Sequence, residues 1–253
     1  MHGYDEWLYP HRQMPFPSHG SAHDNGAPFF WLTHMDFSYL REVLPQYVAA
    51  TWQTLQLSLW GVALSLVFGL LVCVAVVYRL PFFAPVCRAY IELSRNTPLL
   101  VQLFFLYYGL PKFGIRLSGF ACGVIGLTFL GAAYMAEAFR GGIAAVSRVQ
   151  GEAALAVGLT PAQAFLYVIF PQSLAASVPA LVANTLFLIK ETSVVGVLAV
   201  VELLNVSKEL IGLDYKTNEA LFLLVLGYAS ILLPVIAAAP WIERRVRRAA
   251  YGR

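Results

Sequence analysis

Apolar residues in this chain gather into long uncharged runs rather than into narrow stripes. Residues 55–77 hold 23 positions without one charge. At about 1.5 Å of rise per residue, such a helix reaches roughly 34 Å, enough for a hydrocarbon layer of about 30 Å. Similar runs follow at 120–139, with Glu137 near its end, and at 174–200, which Pro179 interrupts and Lys190-Glu191 crosses. Another fills 220–242, with Trp241 at its boundary. The run at 99–110 has only 12 residues and crosses only if extended back through Pro98 to Ser94, leaving Arg95 to snorkel at the interface. The pattern predicts an all-α polytopic membrane protein with five transmembrane helices.

One stretch between two of these runs is built differently. Residues 152–171, EAALAVGLTPAQAFLYVIFP, are short, amphipathic and punctuated. A first helix ends at Gly158, which supplies a left-handed turn. Thr160 then reads as an N-cap, with Pro161 at the first helical position and Gln163 completing a capping box. Pro171 is expected to interrupt the second helix before the next apolar run. The result is a helix-turn-helix on the membrane surface, shaped to be gripped by another molecule. The remaining divisions are a polar tail at 1–34, a surface amphipathic segment at 35–50, the transmembrane domain at 51–243 and a basic tail at 244–253.

Composition agrees with the runs. The chain is 59% hydrophobic and 12% charged, with a mean hydropathy of +0.67, whereas soluble domains carry about 25% charged residues. Residues 1–34 lack a basic start followed by an apolar core, so no cleavable signal peptide is expected. That tail holds all five histidines, His2, His11, His19, His23 and His34, in spacings that fit no metal-ligand pattern, and reads as disordered. Cys73, Cys87 and Cys122 have neither metal-ligand spacing nor an even count, and read as packing residues. No repeat relates the two halves of the chain.

Charge sets the expected topology. With five crossings, Arg79, Arg88, Arg95, Arg140, Arg148 and the arginines from Arg244 onward share one side. The other side receives Arg12, Arg41, Lys112, Arg116, Lys208 and Lys216, diluted by carboxylates. The positive-inside rule then places the N-terminus outside and the C-terminus in the cytoplasm, with 152–171 cytoplasmic.

No catalytic residue, metal site or Gly-rich nucleotide loop is found, so the chain is expected to bind no cofactor and not to be an enzyme. Lys190, Glu191, Thr192 and Ser193 form the most polar cluster inside a span, and Asn184 lies on the same run. Charges near a helix centre cost about 2.5–3.5 kcal/mol each when they face lipid, so these are expected to face protein or water. Two readings stand: an ion-pair network fixing helix packing, or a lining of the translocation path. Consecutive residues point about 100° apart, so Lys190 and Glu191 each need their own partner. Glu137 and Arg140, spaced i, i+3, are expected to pair. Residues 202–219 read as a solvated outward loop, and the basic tail as an anchor to anionic lipids rather than a nucleic-acid site.

Several segments together resemble the bacterial ABC-importer permeases for polar amino acids, the histidine, glutamine, glutamate and arginine systems. They are TLQL at 54–57, YIELSRNTPLL at 90–100, AYMAEAFRG at 133–141, EAA at 152–154 with Gly158 and VIFP at 168–171, PQ at 171–172 and LIKETS at 188–193. Val168 and Phe170 depart from the Ile and Leu usual in that family's EAA loop. The resemblance implies a type I ABC importer permease in the bacterial inner membrane, working as a homodimer or paired heterodimer. It implies a separate cytoplasmic ATPase subunit holding ATP and Mg, and an extracytoplasmic solute-binding protein. Glu152, Ala153, Ala154, Gly158, Phe165 and Pro171 would couple to the ATPase, with Ala153, Ala154, Leu155 and Phe165 filling a groove on it. An ion-coupled carrier using Glu137 or Glu191, and a membrane scaffold without transport, are the alternatives.

Overall fold

The computed structural model describes residues 35–251, and the compact unit considered below begins at Asp36. The histidine-bearing tail lies outside the described residues. Every regular element among them is helical. Four helical stretches are long and apolar enough to cross a membrane, Phe37–Val77, Gly119–Ala145, Pro161–Leu198 and Thr217–Ala250, with a shorter fifth at Leu99–Phe113.

Helix α1 (Phe37–Val77) starts at Asp36, whose carboxylate accepts the N–H groups of Ser38 and Tyr39. It then runs unbroken through Pro45. The surface segment expected over 35–50 is thus continuous with the first span in one helix, with no stop signal between them. Small residues on α1 let it approach α4 (Gly119–Ala145) closely. A Cβ added at Gly69 would lie 2.6 Å from Met135 Cβ and 2.9 Å from the Ala132 carbonyl oxygen. Ser65, four residues earlier, donates to the Leu127 carbonyl at 3.4 Å.

The second run is not extended back through Pro98 to Ser94 as expected, because the chain turns there. Helix α2 (Phe83–Arg95) stops at Asn96, and α3 (Leu99–Phe104) opens a new helix after Pro98. The turn is held locally. Asn96 Nδ2 donates to the Glu92 carbonyl at 2.8 Å, Thr97 Oγ1 to Leu93 at 2.8 Å, and Gln102 Nε2 to Thr97 at 3.0 Å. From Leu99 to Phe113 the helix reaches only about 22 Å, short of a full hydrocarbon layer.

Beyond Phe104 it widens into a π-helical stretch, Phe105–Gly109, two residues before Pro111. The same arrangement recurs in the second half. There α6 (Pro161–Ala164) widens at Phe165–Ile169 and continues as α7 (Phe170–Glu191), with Pro171 in its first turn. The two sites share the pattern FLY-x-x-x-P, as FLYYGLP at 105–111 and FLYVIFP at 165–171, a local echo although no repeat of the halves was expected. A proline cannot donate to the carbonyl four residues back and crowds it. In both places the preceding N–H reaches five residues back, Leu110 to Phe105 and Phe170 to Phe165. Pro171 therefore does not interrupt the helix as expected; the wider turn absorbs it.

Helix α7 ends at Glu191 in a 3-10 stretch, Thr192–Leu198. Residues 203–214 form α8 (Leu203–Asp214), correcting the solvated loop expected over 202–219. Leu203, Val206, Ser207 and Leu210 bury one face of it, and pack with Val43, Tyr47 and Ala50 of α1 and Ala220 and Leu223 of α9 (Thr217–Tyr251). The basic tail is no separate segment but the last turns of α9.

Candidate functional site

The loop between α4 and α7 is made of local signals. Helix α5 (Arg148–Ala156) ends in a Schellman turn: Leu159 N–H bonds to Ala154 O at 3.2 Å and Gly158 N–H to Leu155 O at 3.0 Å. Gly158 holds φ at +90°. Two residues on, Thr160 N–H donates to Gln163 Oε1 at 2.9 Å while Gln163 N–H donates to Thr160 Oγ1 at 3.3 Å, a complete capping box. The loop is thus rigid at both the exit of one helix and the entry of the next.

Its side chains divide between two directions. Glu152, Ala153, Leu155 and Val157 are exposed, as are Leu166 and Tyr167 further on. Ala154 is buried. Phe165 is half-buried, its ring edge-on to Tyr78 just beyond α1 at 5.2 Å and 6.0 Å from Phe170. This changes the groove-filling set expected from the sequence: Ala153 and Leu155 face outward, but Ala154 and Phe165 are engaged with their own chain. Pro171 lies on the inner part of the same rod, beside Gln172, whose amide reaches Gln150 of α5 at 3.4 Å.

A second constellation gathers at the α2–α3 turn. Arg95, Asn96, Thr97 and Pro98 line a cavity of about 470 Å³ together with Tyr134, Phe187 and Glu191. The Arg95 guanidinium sits 5.2 Å from the centre of the Tyr134 ring and 4.0 Å from Glu137 Oε2. Glu137 is clamped by Arg140, through Nε at 2.9 Å and Nη2 at 2.7 Å, as the i, i+3 spacing predicted. Arg95 therefore shares its carboxylate with a closer partner and turns its cationic face to the cavity. Glu191, across the same cavity, has no cationic partner within ion-pair distance among the described residues.

Of the polar residues expected along the fourth run, the structure brings two to this place. Asn184 and Glu191 share a face of α7 with Phe187, at i, i+7 and i+3. Asn184 Nδ2 donates to the Tyr134 carbonyl at 3.1 Å, and the Tyr134 and Phe187 rings lie 5.2 Å apart. The other three point elsewhere. Lys190 is exposed, Thr192 is fully buried with its hydroxyl on Ile189 O at 2.6 Å, and Ser193 bonds Lys190 O at 2.8 Å. Lys190 and Glu191 close the α7 segment, and the helical run continues beyond them as a 3-10 stretch to Leu198. Tyr134 and Phe187 were not foreseen; the Asn184–Phe187–Glu191 spacing was the available signal.

Glu202 was assigned to solvent and is fully buried instead. It caps α8, accepting Leu204 N–H at 2.8 Å and Asn205 N–H at 2.6 Å, and Tyr228 of α9 approaches it at 3.4 Å. Burial pushes its carboxyl up to about 7, against the downward pull of those hydrogen bonds. Among the described residues no cluster of His, Cys, Asp and Glu is arranged to hold a metal ion. Cys73 and Cys122 are buried thiols inside the core formed by α1, α3 and α4.

Residues 61–248 match the family described as binding-protein-dependent transport system inner membrane component. The probable amino-acid ABC transporter permease protein PatM of Vibrio harveyi is 35% identical over 217 residues, 85% of this chain and 97% of that one. The probable glutamine ABC transporter permease protein GlnM of Bacillus subtilis is 36% identical over 222 residues, 85% of this chain and 99% of that one. Among solved structures, an amino acid ABC transporter crystallised with histidines superposes with a TM-score of 0.77 at 32% identity, covering 83% of this chain and 99% of that one. The MetNI methionine transporter shares the fold, with a TM-score of 0.68 at 21% identity over 84% of this chain and 99% of that one. The chain belongs to the binding-protein-dependent transport system inner membrane components, the multi-pass permeases of ABC importers, and groups there with those for amino acids.

Proposed function

We propose that this permease carries a polar amino acid through a path that includes the Arg95–Glu191 cavity, and that a separate ATPase drives it through the 152–171 loop. The observation that carries the reading is the placement of opposite charges on one cavity. A guanidinium and a carboxylate flanked by two aromatic rings suit a zwitterion, which presents a carboxylate and an ammonium together. The helix that ends at Glu191 begins in the rigid loop, so a push on the loop reaches the cavity along one rod.

In this reading ATP and Mg are held by the partner ATPase, and this chain binds no nucleotide. An extracytoplasmic binding protein delivers the solute, and a second permease, identical or homologous, completes the path. The arginines near the loop and on the last turns of α9 favour the cytoplasm for that side, which puts the N-terminus outside.

Tagged protein from native membranes, reconstituted in vesicles and supplied with labelled amino acids, tests the reading. It expects an ATPase subunit to co-purify and uptake to follow ATP. Uptake that survives ATP depletion but collapses with an uncoupler would replace it with an ion-coupled carrier. Normal insertion with no uptake of any amino acid would leave a scaffold.

A further inference from the structure

The end of α9 carries charge in a pattern that neither helix packing nor transport uses. Trp241, Arg244, Arg245 and Arg248 are all exposed, and with Ala237 and Pro240 they enclose a shallow recess of about 460 Å³. At about 100° per residue, Trp241 and the three arginines fall within an arc of roughly 100°. Glu243 and Arg247 lie on another face and neutralise each other at 2.8 Å. Among the described residues no carboxylate comes within ion-pair distance of Arg244, Arg245 or Arg248. Arg245 instead lies over the Trp241 ring, 5.3 Å from its centre.

We infer that this recess holds the headgroup phosphate of an anionic phospholipid. Three guanidiniums with their donors free converge on one small volume, which matches a phosphate with several acceptor oxygens. Their place at the end of a membrane span sets that phosphate at headgroup depth. The indole belongs at the same depth, where its ring meets acyl chains and its N–H meets water. Toward the membrane the same face continues as exposed Leu226 and Leu233, an apolar track for the lipid's tails. A soluble phosphate would gain nothing from that track. The pairing of Glu243 with Arg247 keeps the one nearby carboxylate off the arginine face, so the recess stays cationic.

The full chain, reconstituted with the subunits it purifies with, tests this in phosphatidylcholine vesicles containing a minor fraction of brominated lipid. Trp241 emission is read as the difference between the chain and its Trp241→Phe variant. Brominated phosphatidylglycerol is expected to quench Trp241 more than brominated phosphatidylcholine at the same mole fraction. The preference should fall roughly fivefold for each arginine removed. The triple variant Arg244→Gln, Arg245→Gln, Arg248→Gln should erase it, and Glu243→Gln with Arg247→Gln should leave it intact. Equal quenching by the two lipids would overturn the inference, as would a triple variant that keeps the preference. Loss of the preference on adding inorganic phosphate would also overturn it, assigning the recess to a free phosphate. A preference present in the permease alone but absent once the ATPase is bound would overturn it too, making these arginines a protein interface.

Discussion

Replacing Gly158 separates backbone strain from steric contact in the 152–171 loop. A Cβ built at this position meets nothing within 4 Å, so alanine adds no clash inside the chain. The φ of +90° is the obstacle, since a left-handed backbone costs an L-residue about 1–2 kcal/mol. That is a factor of about 5–30 in the population of the observed turn. Asparagine tolerates such angles and should lose less, while β-branched valine should lose most. The loop lies outside both hydrophobic cores, so insertion and thermal stability of the membrane domain should stay near those of the parent. ATP-driven uptake in vesicles, normalised to inserted protein, should therefore decline in the order Gly, Asn, Ala, Val. Solute carried per ATP hydrolysed should fall with it. Alanine transporting as well as glycine, with valine close behind, would refute the role given to strain. Asparagine as damaging as valine would instead locate the effect in a side chain meeting the docked ATPase.

Three other outcomes are expected. Glu191→Gln should raise the apparent KM for uptake by removing the carboxylate from the cavity, while Lys190→Met, which changes an exposed side chain, should leave KM within about twofold; substrate titrations decide this. The folded state holds a proton on Glu202 that the unfolded chain releases near 4.5, so stability should decrease as pH rises from there through about 7, by on the order of 3 kcal/mol. Glu202→Gln should flatten that dependence in melting curves taken in detergent, and an unchanged slope would show that another group is responsible. Gly69→Ala drives a Cβ against Met135 and the Ala132 backbone, and should destabilise the α1–α4 contact by about 1–3 kcal/mol, read as lower inserted yield and melting temperature.

What could be read in advance follows how local each signal is. The Gly158 turn and the Thr160–Gln163 box involve residues three to five apart, and both formed as expected. The Glu137–Arg140 pair is of the same kind. Helix α8 escaped because six charges between 202 and 219 outweighed an apolar spacing at 203, 206 and 210 that was there to be read. Burial of Glu202 had no such signal, since it depends on Tyr228 and on Gly196, where a Cβ would press against the carboxylate. The cavity was half visible. Asn184 and Glu191 stood out as polar residues in an apolar run, but Arg95 and Tyr134 reach Glu191 from 96 and 57 residues earlier in the chain only through tertiary packing, which no spacing encodes.

Why the loop and the cavity should respond together follows from the way Pro171 is accommodated. Had that proline broken the helix, the 152–171 loop would hinge freely and a push on it would be lost in the break. The π-helical stretch keeps the backbone hydrogen-bonded from Pro161 to Glu191 while relieving the crowding at the Tyr167 carbonyl. The widened turn also presents Phe165 to Tyr78 and so ties the rod to the end of α1. Because α1 packs along α4, and Tyr134 of α4 lies beneath the Arg95 guanidinium, the Arg95 wall of the cavity also connects to the same loop. One displacement of the loop can then shift Glu191 directly and Tyr134 through α1. A cavity with its two charged walls on separate mechanical paths would need two inputs to open; here the fold joins them at Phe165.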